Sequence, residues 1–484
     1  MKKGDIIELD IEKYAFEGRG IAKVSAEKIR SDIPKNETPI SNYVVFVDGA
    51  YPGDKVKAEL KKIKKSYAEA KVIEIISSSL LRTKAKCKYF GECGGCKQQD
   101  LNYEQQVKYK QQQVEEIFEK MGCFNDFSIK EIIPSNKIFF YRNKMEFSFS
   151  DKRWLTQEEL QSTQIVEKDF ALGLHVPQVY DKVLDIEECF LQSELSNKIL
   201  NVTRKFFKEK NILPYSTKIQ SGFLRNLVIK TSHHTDDLMV NIVTFSVDEK
   251  AISSFKEILI NQVPQITTIV NNINQKRATV AIGDYENIIF GRGFILDQIG
   301  NYKFRISANS FFQTNSLQAE KLYKTALEFA ELQGNEIIYD LYSGAGTISI
   351  FVSEKAKEVY AFESVESAVN DAEENKKINN VSNVHFFTAD LYKTFLPLVE
   401  AKSLPSPDVV ILDPPRSGMH TNTIDDVIKL YPQKIVYVSC NPATQVRDIK
   451  LFTNSGYKLI KIRPVDMFPH TYHIENVALM IKEK

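Results

Sequence analysis

The chain has 484 residues and no apolar run near the roughly 20 residues that a bilayer-spanning helix needs. Its start, Met1-Lys2-Lys3-Gly4-Asp5, leads into an alternating segment rather than the apolar core of a secretory leader. A cytoplasmic protein without a membrane partner is therefore expected. Cysteine is scarce: six residues are too few for a disulfide scaffold, so no disulfide partner is expected and their clustering points to metal or catalytic chemistry. An excess of one charge is also lacking. Lys+Arg 64 against Asp+Glu 63 leave a net charge of +1, so contact with a polyanion must come from local basic patches. What is present, 43% hydrophobic and 26% charged residues, excludes a disordered or collagen-like chain. The length allows two to four domains at roughly 100–200 residues each.

Three blocks follow along the chain. Residues 1–78 alternate as β structure: Ile6, Ile7, Leu9 and Ile11 among polar residues, a turn at Gly18-Arg19-Gly20, a strand at 43–47 and a turn at Tyr51-Pro52-Gly53-Asp54. A five-strand, OB-like barrel is the natural closure. Seven lysines (55, 57, 61, 62, 64, 65, 71) against Glu59 and Glu69 make a stripe that is either a solvated face or a phosphate-contacting surface. Residues 79–300 form a mixed α+β block. It opens with a cysteine-rich loop and a helix over about 102–121, with Val107, Val114, Ile117, Phe118 and Met121 on one face. Candidate strands lie at 141–147 and 224–229, and the polar stretch 151–168 reads as an insertion loop. Residues 301–484 alternate strands with helices; the apolar runs 337–341, 359–362, 409–412 and 435–438 are of parallel-strand type. This is an α/β, Rossmann-like, doubly wound domain with ligands expected at the carboxyl ends of its strands.

Reactive residues gather at those ends. The first strand runs into Asp340-Leu341-Tyr342-Ser343-Gly344-Ala345-Gly346-Thr347, and the next ends in Glu363, suited to a ribose. With only two glycines the turn favours a cofactor smaller than a dinucleotide. S-adenosylmethionine fits, with Asp390, after Phe386-Phe387, placed for the adenine. Leu412-Asp413-Pro414-Pro415-Arg416 leaves a carboxylate at a third strand end and Val438-Ser439-Cys440-Asn441-Pro442 leaves a thiol at a fourth. Uracil C5 is a poor nucleophile, but thiolate addition at C6 makes the ring an enolate that can attack a sulfonium methyl. The C5 proton must then leave, and Glu475, ahead of a last apolar strand, is the candidate base. His470 and His473 are a pair without a third metal partner and fit packing or hydrogen bonding better.

Cys87, Cys93 and Cys96 follow C-x5-C-x2-C, and Cys189 could complete a four-sulfur site. The spacing alone leaves zinc and an iron–sulfur cluster open. Cys123 reads as a core cysteine.

Taken together, the C-x5-C-x2-C loop, Phe311-Phe312-Gln313-Thr314-Asn315, Asp-Pro-Pro-Arg, Ser-Cys-Asn-Pro and the closing His-Ile-Glu resemble, in this order and over nearly the whole length, the RNA uracil-5-methyltransferase family. The likeness is to its iron–sulfur-containing 23S rRNA branch with an N-terminal TRAM domain. The resemblance implies an S-adenosylmethionine-dependent class I methyltransferase that forms 5-methyluridine in 23S rRNA, at a flipped or single-stranded uridine. It implies a 4Fe–4S cluster on Cys87, Cys93, Cys96 and Cys189. By the same resemblance Gln313, Tyr342, Thr347, Glu363, Asp390 and Asp413 line the methyl-donor and uracil site, Cys440 is the nucleophile and Glu475 the base. The helix after the cluster is also expected to pack back on the catalytic domain. A tRNA uracil-5-methyltransferase and a non-catalytic RNA-binding protein are the alternatives.

Overall fold

The computed structural model describes residues 2–24, 43–163, 167–177, 179–277, 281 and 283–483. It divides into two compact units. The first comprises Met1–Gly91, Gly95–Gln113 and Phe468–His473, and the second Glu92–Gly94, Val114–Met467 and Ile474–Lys484.

In the first unit, alternation at period two builds the strands Ile6–Asp10, Lys13–Ala15, Arg19–Val24, Tyr43–Asp48, Lys55–Ile63 and Tyr67–Ser77. Their inward residues, among them Leu9, Ala22, Val45, Val56, Leu60 and Ala70, share one core. Among the described residues the sheet holds six strands rather than the expected five, because Lys13–Ala15 pairs with Arg19–Val24 as a hairpin of its own. Ile6–Asp10 and Arg19–Val24, far apart in the strand order, are in contact, so the sheet curls on itself. Three lysines of the basic stripe are neutralised locally: Lys57 by Glu74, Lys61 by Glu59 and Lys62 by Glu69. Below the sheet, Asp54 is wholly buried. It accepts from the Tyr51 and Ser79 amides at 2.7 and 2.8 Å and from Arg82 Nη2 at 2.7 Å. Arg82 also pairs with Asp100, which takes the Tyr51 hydroxyl at 2.6 Å.

The helix after the cysteine loop runs Tyr103–Glu116 and widens into a π turn over Ile117–Met121. Its apolar stripe is not what it buries throughout. In the first unit Gln106 and Lys110 are inside, the Gln106 amide donating to the Gln98 and Leu101 carbonyls at 2.9 and 2.8 Å and Lys110 Nζ to the Phe468 carbonyl at 3.1 Å. In the second unit the π turn buries Ile117 and Phe118 against the Pro442–Thr453 helix, while Met121 is exposed. Cys123 is exposed as well, contrary to its reading as a core residue. It follows the π turn with φ 54, where the chain has already left the core.

Among the described residues the second unit carries a two-stranded sheet, Phe294–Ile299 with Tyr302–Ser307, and two eight-stranded ones. The central one has the order Tyr285–Phe290, Thr268–Ile273, Leu238–Thr244, Leu224–Thr231, Lys144–Ser150, Ala171–Val176, Val179–Asp185, Arg153–Trp154. The stretch 151–168 is thus not only a loop. Arg153–Trp154 extends the sheet, and Gln157–Gln161 is a helix because Thr156 and Glu159 form a reciprocal capping box. The expected strand at 141–147 begins later, at Lys144.

The other sheet runs Val384–Thr388, Glu358–Glu363, Ile337–Leu341, Val409–Leu412, Lys434–Ser439, Glu475–Lys482, Tyr457–Val465, Ser128–Ile129. Its first five strands are parallel, so their carboxyl ends share one edge. Glu475–Lys482 is antiparallel to Lys434–Ser439 and starts at that same edge. Ser128–Ile129, from far upstream, closes the opposite end. Among the described residues no helix is long and apolar enough to cross a membrane.

Asp54 sets the first test. Asp54→Ala leaves two buried amides and a guanidinium without their acceptor, a loss of about 3–5 kcal/mol. Amide hydrogen exchange in the strands of the first unit should accelerate accordingly; unchanged protection would show that Asp54 does not hold that unit.

Candidate active site

Strand register places the reactive groups. Leu341 pairs with Leu412, Leu412 with Tyr437, and Ser439 with Asn476. Asp413 therefore leaves the sheet beside the end of the Ile337–Leu341 strand, and Cys440 follows Ser439 just where Glu475 precedes Asn476. Each end is then fixed locally. Ser439 Oγ accepts the Asn441 amide at 3.1 Å, and Asn441 Oδ1 caps the Pro442–Thr453 helix. Gln445 Nε2 donates to the Tyr437 carbonyl at 2.8 Å, and its Oε1 takes Asn476 Nδ2 at 2.7 Å. The cysteine strand and the glutamate strand are thereby laced together under the site.

The electrostatics follow from the crowding of acids. Burial pushes the Cys440 thiol up to about 12, with the Glu475 and Asp413 carboxyls adding to the effect and Arg416 opposing it. Burial also raises Glu475 well above the usual carboxyl range; Asp413 adds to this and Arg416 again opposes it. Asp413 itself is pushed up to about 7 by desolvation. Cys440 is half-buried and Glu475 buried. Four groups thus sense one another across a small volume: a thiol, two carboxyls and one guanidinium. Asp413, with its value near 7, can therefore take up or release a proton near neutral pH, as acid–base work requires.

Beside them lies the glycine turn. Tyr342, Gly344 and Gly346 all take positive φ, of 68, 54 and 75. At Gly346 a Cβ would stand 2.6 Å from the Phe386 ring, so only glycine fits; above Gly344 there is open space. Glu363 is held under the turn, its carboxylate accepting from the Gly344 amide at 3.0 Å and the Val365 amide at 2.8 Å. Asp340 is wholly buried. Its Oδ2 takes the Ser349 hydroxyl, while its Oδ1 and Ser343 Oγ have no partner among the described residues. Burial, opposed by Ser349 and reinforced by Asp413, pushes Asp340 up to about 7. The open floor over Gly344, the anchored ribose-type carboxylate and the unfilled polar atoms at Asp340 and Ser343 fit a nucleoside cofactor. Thr347 Oγ1 meets the Tyr323 hydroxyl at 2.9 Å, and Gln313 hydrogen-bonds the same hydroxyl. Tyr323 is raised by burial and senses Asp413 and Asp340, which ties Gln313 and Thr347 to the acidic group.

Two expected residues stand differently. Tyr342 turns its hydroxyl to the Thr423 side chain and His420 backbone, and burial pushes it up to about 12. Asp390 is exposed; it accepts the Tyr392 amide at 3.1 Å and pairs with Lys393, which holds its carboxyl below the usual range. The structure adds Tyr323 and Ser349 to the residues named from sequence and gives Arg416, named there only within its motif, an electrostatic part. Only Arg416, following the proline pair, had a sequence signal; the other two are ordinary helix residues until the fold brings them in.

Cys87 and Cys96 of the loop, and Cys189 elsewhere in the chain, make local contacts. In the first unit Gln99 Oε1 accepts the Cys87 amide at 3.1 Å, and Gln99 Nε2 donates to Cys96 Sγ at 3.3 Å. In the second, the Cys189 amide donates to Asn197 Oδ1 at 2.8 Å. Among the described residues no group of three or more His, Cys, Asp or Glu side chains is arranged to hold a metal ion.

A parallel sheet with an acidic strand end beneath an open glycine turn, and a thiol opposite a buried carboxyl at the same edge, is the architecture of a methyltransferase fold. The matches to known proteins narrow this. The family model described as tRNA (Uracil-5-)-methyltransferase matches residues 270–483, and that of the TRAM domain matches residues 1–73. An uncharacterized RNA methyltransferase of Chlorobaculum tepidum is 41% identical over 481 residues, covering 99% of this chain and 96% of the relative. Another, of Bacteroides thetaiotaomicron, is 41% identical over 470 residues, covering 96% and 99%. The crystal structure of Pyrococcus abyssi tRNA (uracil-54, C5)-methyltransferase in complex with S-adenosyl-L-homocysteine superposes with a TM-score of 0.72 at 28% identity, covering 98% of this chain and 99% of that one. The chain belongs to the RNA uracil-5-methyltransferase family and carries an N-terminal TRAM domain.

The raised Asp340 value gives a pH prediction. A carboxyl whose value rises from 3.8 to about 7 on folding stabilises the folded chain fully below 3.8, and that contribution is lost as pH rises through about 7. Asp340→Asn cannot ionise, so its thermal midpoint should climb relative to the wild type between about pH 4 and about pH 7.5. A constant difference across that range would mean that the carboxyl titrates normally.

Proposed function

We propose that this protein transfers a methyl group from S-adenosylmethionine to C5 of a uridine in RNA, by way of a transient bond between Cys440 Sγ and uracil C6. The observation that carries this reading is the register that sets Cys440 across from Glu475, with Asp413 and Arg416 in electrostatic reach of both. The methyl donor, when bound, supplies an electrophilic sulfonium methyl. Glu363 under the Gly344 turn would hold its ribose, and Asp340 its cationic end.

Cys440 begins the work of the chain. Its proton passes to a neighbouring carboxylate, for which Asp413, near 7, is suited, and the sulfur bonds C6 while the ring electrons move towards C5. C5 would then form the new carbon–carbon bond to the methyl as the methyl–sulfur bond of the donor breaks, its electron pair going to the donor sulfur, which leaves as a neutral thioether. Glu475 removes the C5 proton, the C6–S bond breaks, and the ring regains its double bond. Arg416 opposes the high thiol and carboxyl values and so stabilises the anions as they form. A uridine within folded RNA must be flipped into this site, at an unstacking cost of a few kcal/mol that phosphate contacts help offset.

For the substrate we keep 23S rRNA, on the motif order and the cysteine loop. A tRNA reading is favoured by a specific likeness: the Pyrococcus abyssi protein, a tRNA (uracil-54, C5)-methyltransferase, aligns over 98% of this chain. Both RNAs belong in one assay. With labelled cofactor, the wild type should label 23S rRNA and not tRNA; the reverse would move the assignment to tRNA. Glu475→Gln should add to uracil and accept the methyl but stall, leaving a protein–RNA adduct on a denaturing gel, and Cys440→Ala should give neither adduct nor product. Turnover by Cys440→Ala would remove the covalent mechanism.

The 4Fe–4S cluster on Cys87, Cys93, Cys96 and Cys189 rests on the resemblance and the thiol spacing. Protein purified without oxygen should contain about four iron and about four acid-labile sulfide per chain. Stoichiometric zinc, or no metal, would overturn it.

A further inference from the structure

A buried lysine that the chemistry above does not use lies in the central sheet. Lys230, on the Leu224–Thr231 strand, is 3% exposed, and its Nζ donates to the carbonyls of Ser307 at 2.7 Å and Ser310 at 3.0 Å. Those carbonyls bound the turn that leaves the Tyr302–Ser307 strand and opens the segment 308–315. That turn is closed from other sides too. Ser307 Oγ accepts the Ser310 amide at 3.2 Å, and Asn309 is taken by Glu286 Oε1 at 3.1 Å and by Asn272.

The far foot of the segment is also tied to the central sheet. Asn143 Nδ2 donates to the Gln313 carbonyl at 2.9 Å, the Asn143 amide to the Thr314 carbonyl at 2.8 Å, and the Asn143 carbonyl accepts the Thr231 amide at 2.7 Å. Lys230 and Thr231 are neighbours, so one strand end serves both feet. Between them stands Phe311, 69% exposed, and Gln313, whose side chain reaches the Tyr323 hydroxyl beside Thr347. An arch with two pinned feet and an exposed crest can present Gln313 in one orientation only if the pins hold.

We propose that Lys230 and Asn143 are positioning residues for the methyl-transfer site, pinning the 308–315 arch so that Gln313 faces the acidic crevice. This rests on the function proposed above and deepens it. A buried lysine is costly unless its donors are used. Burial, with Lys144 nearby, pushes Lys230 down to about 7, against the pull of Glu286, Asp371 and Glu146. An uncharged amine still has two N–H groups for the two carbonyls, so the pin survives deprotonation. An ordinary packing residue would have no need of nitrogen here.

The test uses the full chain, with Lys230→Met, of similar length but without donors, and the isosteric Asn143→Asp, which sets an oxygen against the Gln313 carbonyl. Methyl transfer is measured at saturating RNA and cofactor beside thermal midpoints. Both variants should lose about tenfold or more in kcat, with KM for RNA and cofactor within about threefold and the fold retained. Wild-type-like kcat in either folded variant overturns the proposal, as does a loss confined to KM. Should Lys230→Met not fold, Asn143→Asp decides alone. Wild-type protein without methyl transfer to any RNA would instead sink the functional reading itself.

Discussion

The antiparallel pairing of the last strand with the cysteine-bearing strand is the constraint on which the site depends. Five parallel strands deliver their carboxyl ends to one edge, but a parallel strand cannot bring its first residue there. By running the other way, Glu475–Lys482 delivers its beginning, and Glu475 meets Cys440. The Gln445–Asn476 amide pair beneath them resists slippage, because a one-residue shift would move every side chain of the strand to the opposite face.

Crowding three carboxyls at one sheet edge is electrostatically expensive, and the structure shows how that cost is turned to use. Asp340, Asp413 and Glu475 are all pushed towards neutrality by desolvation. The Arg416 guanidinium opposes this at Glu475 and Cys440. A carboxyl whose value lies near neutral pH, as at Asp340 and Asp413, exchanges its proton more readily there than a permanent anion does. The same environment disfavours a resting thiolate at Cys440.

The central sheet contributes to this edge without supplying a reactive group. Its strand end at Lys230–Thr231 and the neighbouring Asn143 hold both feet of the segment that carries Gln313. Ser128–Ile129 joins the far end of the catalytic sheet, so the chain segments interleave. The helix after the cysteine loop behaves likewise: one part buries glutamine and lysine in the first unit, and its π turn packs Phe118 in the second. Apolar periodicity alone misses this, since the buried polar residues there are paid for by backbone carbonyls.

Much was readable directly. Alternation at period two marks the N-terminal strands, and apolar runs with glycine and proline punctuation mark the parallel strands, because both patterns are local consequences of which face meets water. Asp340, Glu363, Asp413 and Cys440 could be picked out since a residue just past an apolar strand is carried to the sheet edge whatever the topology. Strand order and register were not readable. They arise from packing between segments hundreds of residues apart, and they alone set Cys440 opposite Glu475, tuck Tyr323 beside Thr347 and bury Lys230 beneath the Gln313 arch. Residue type and short-range spacing specify which groups can react; only long-range packing decides which of them meet, and how far water is excluded when they do.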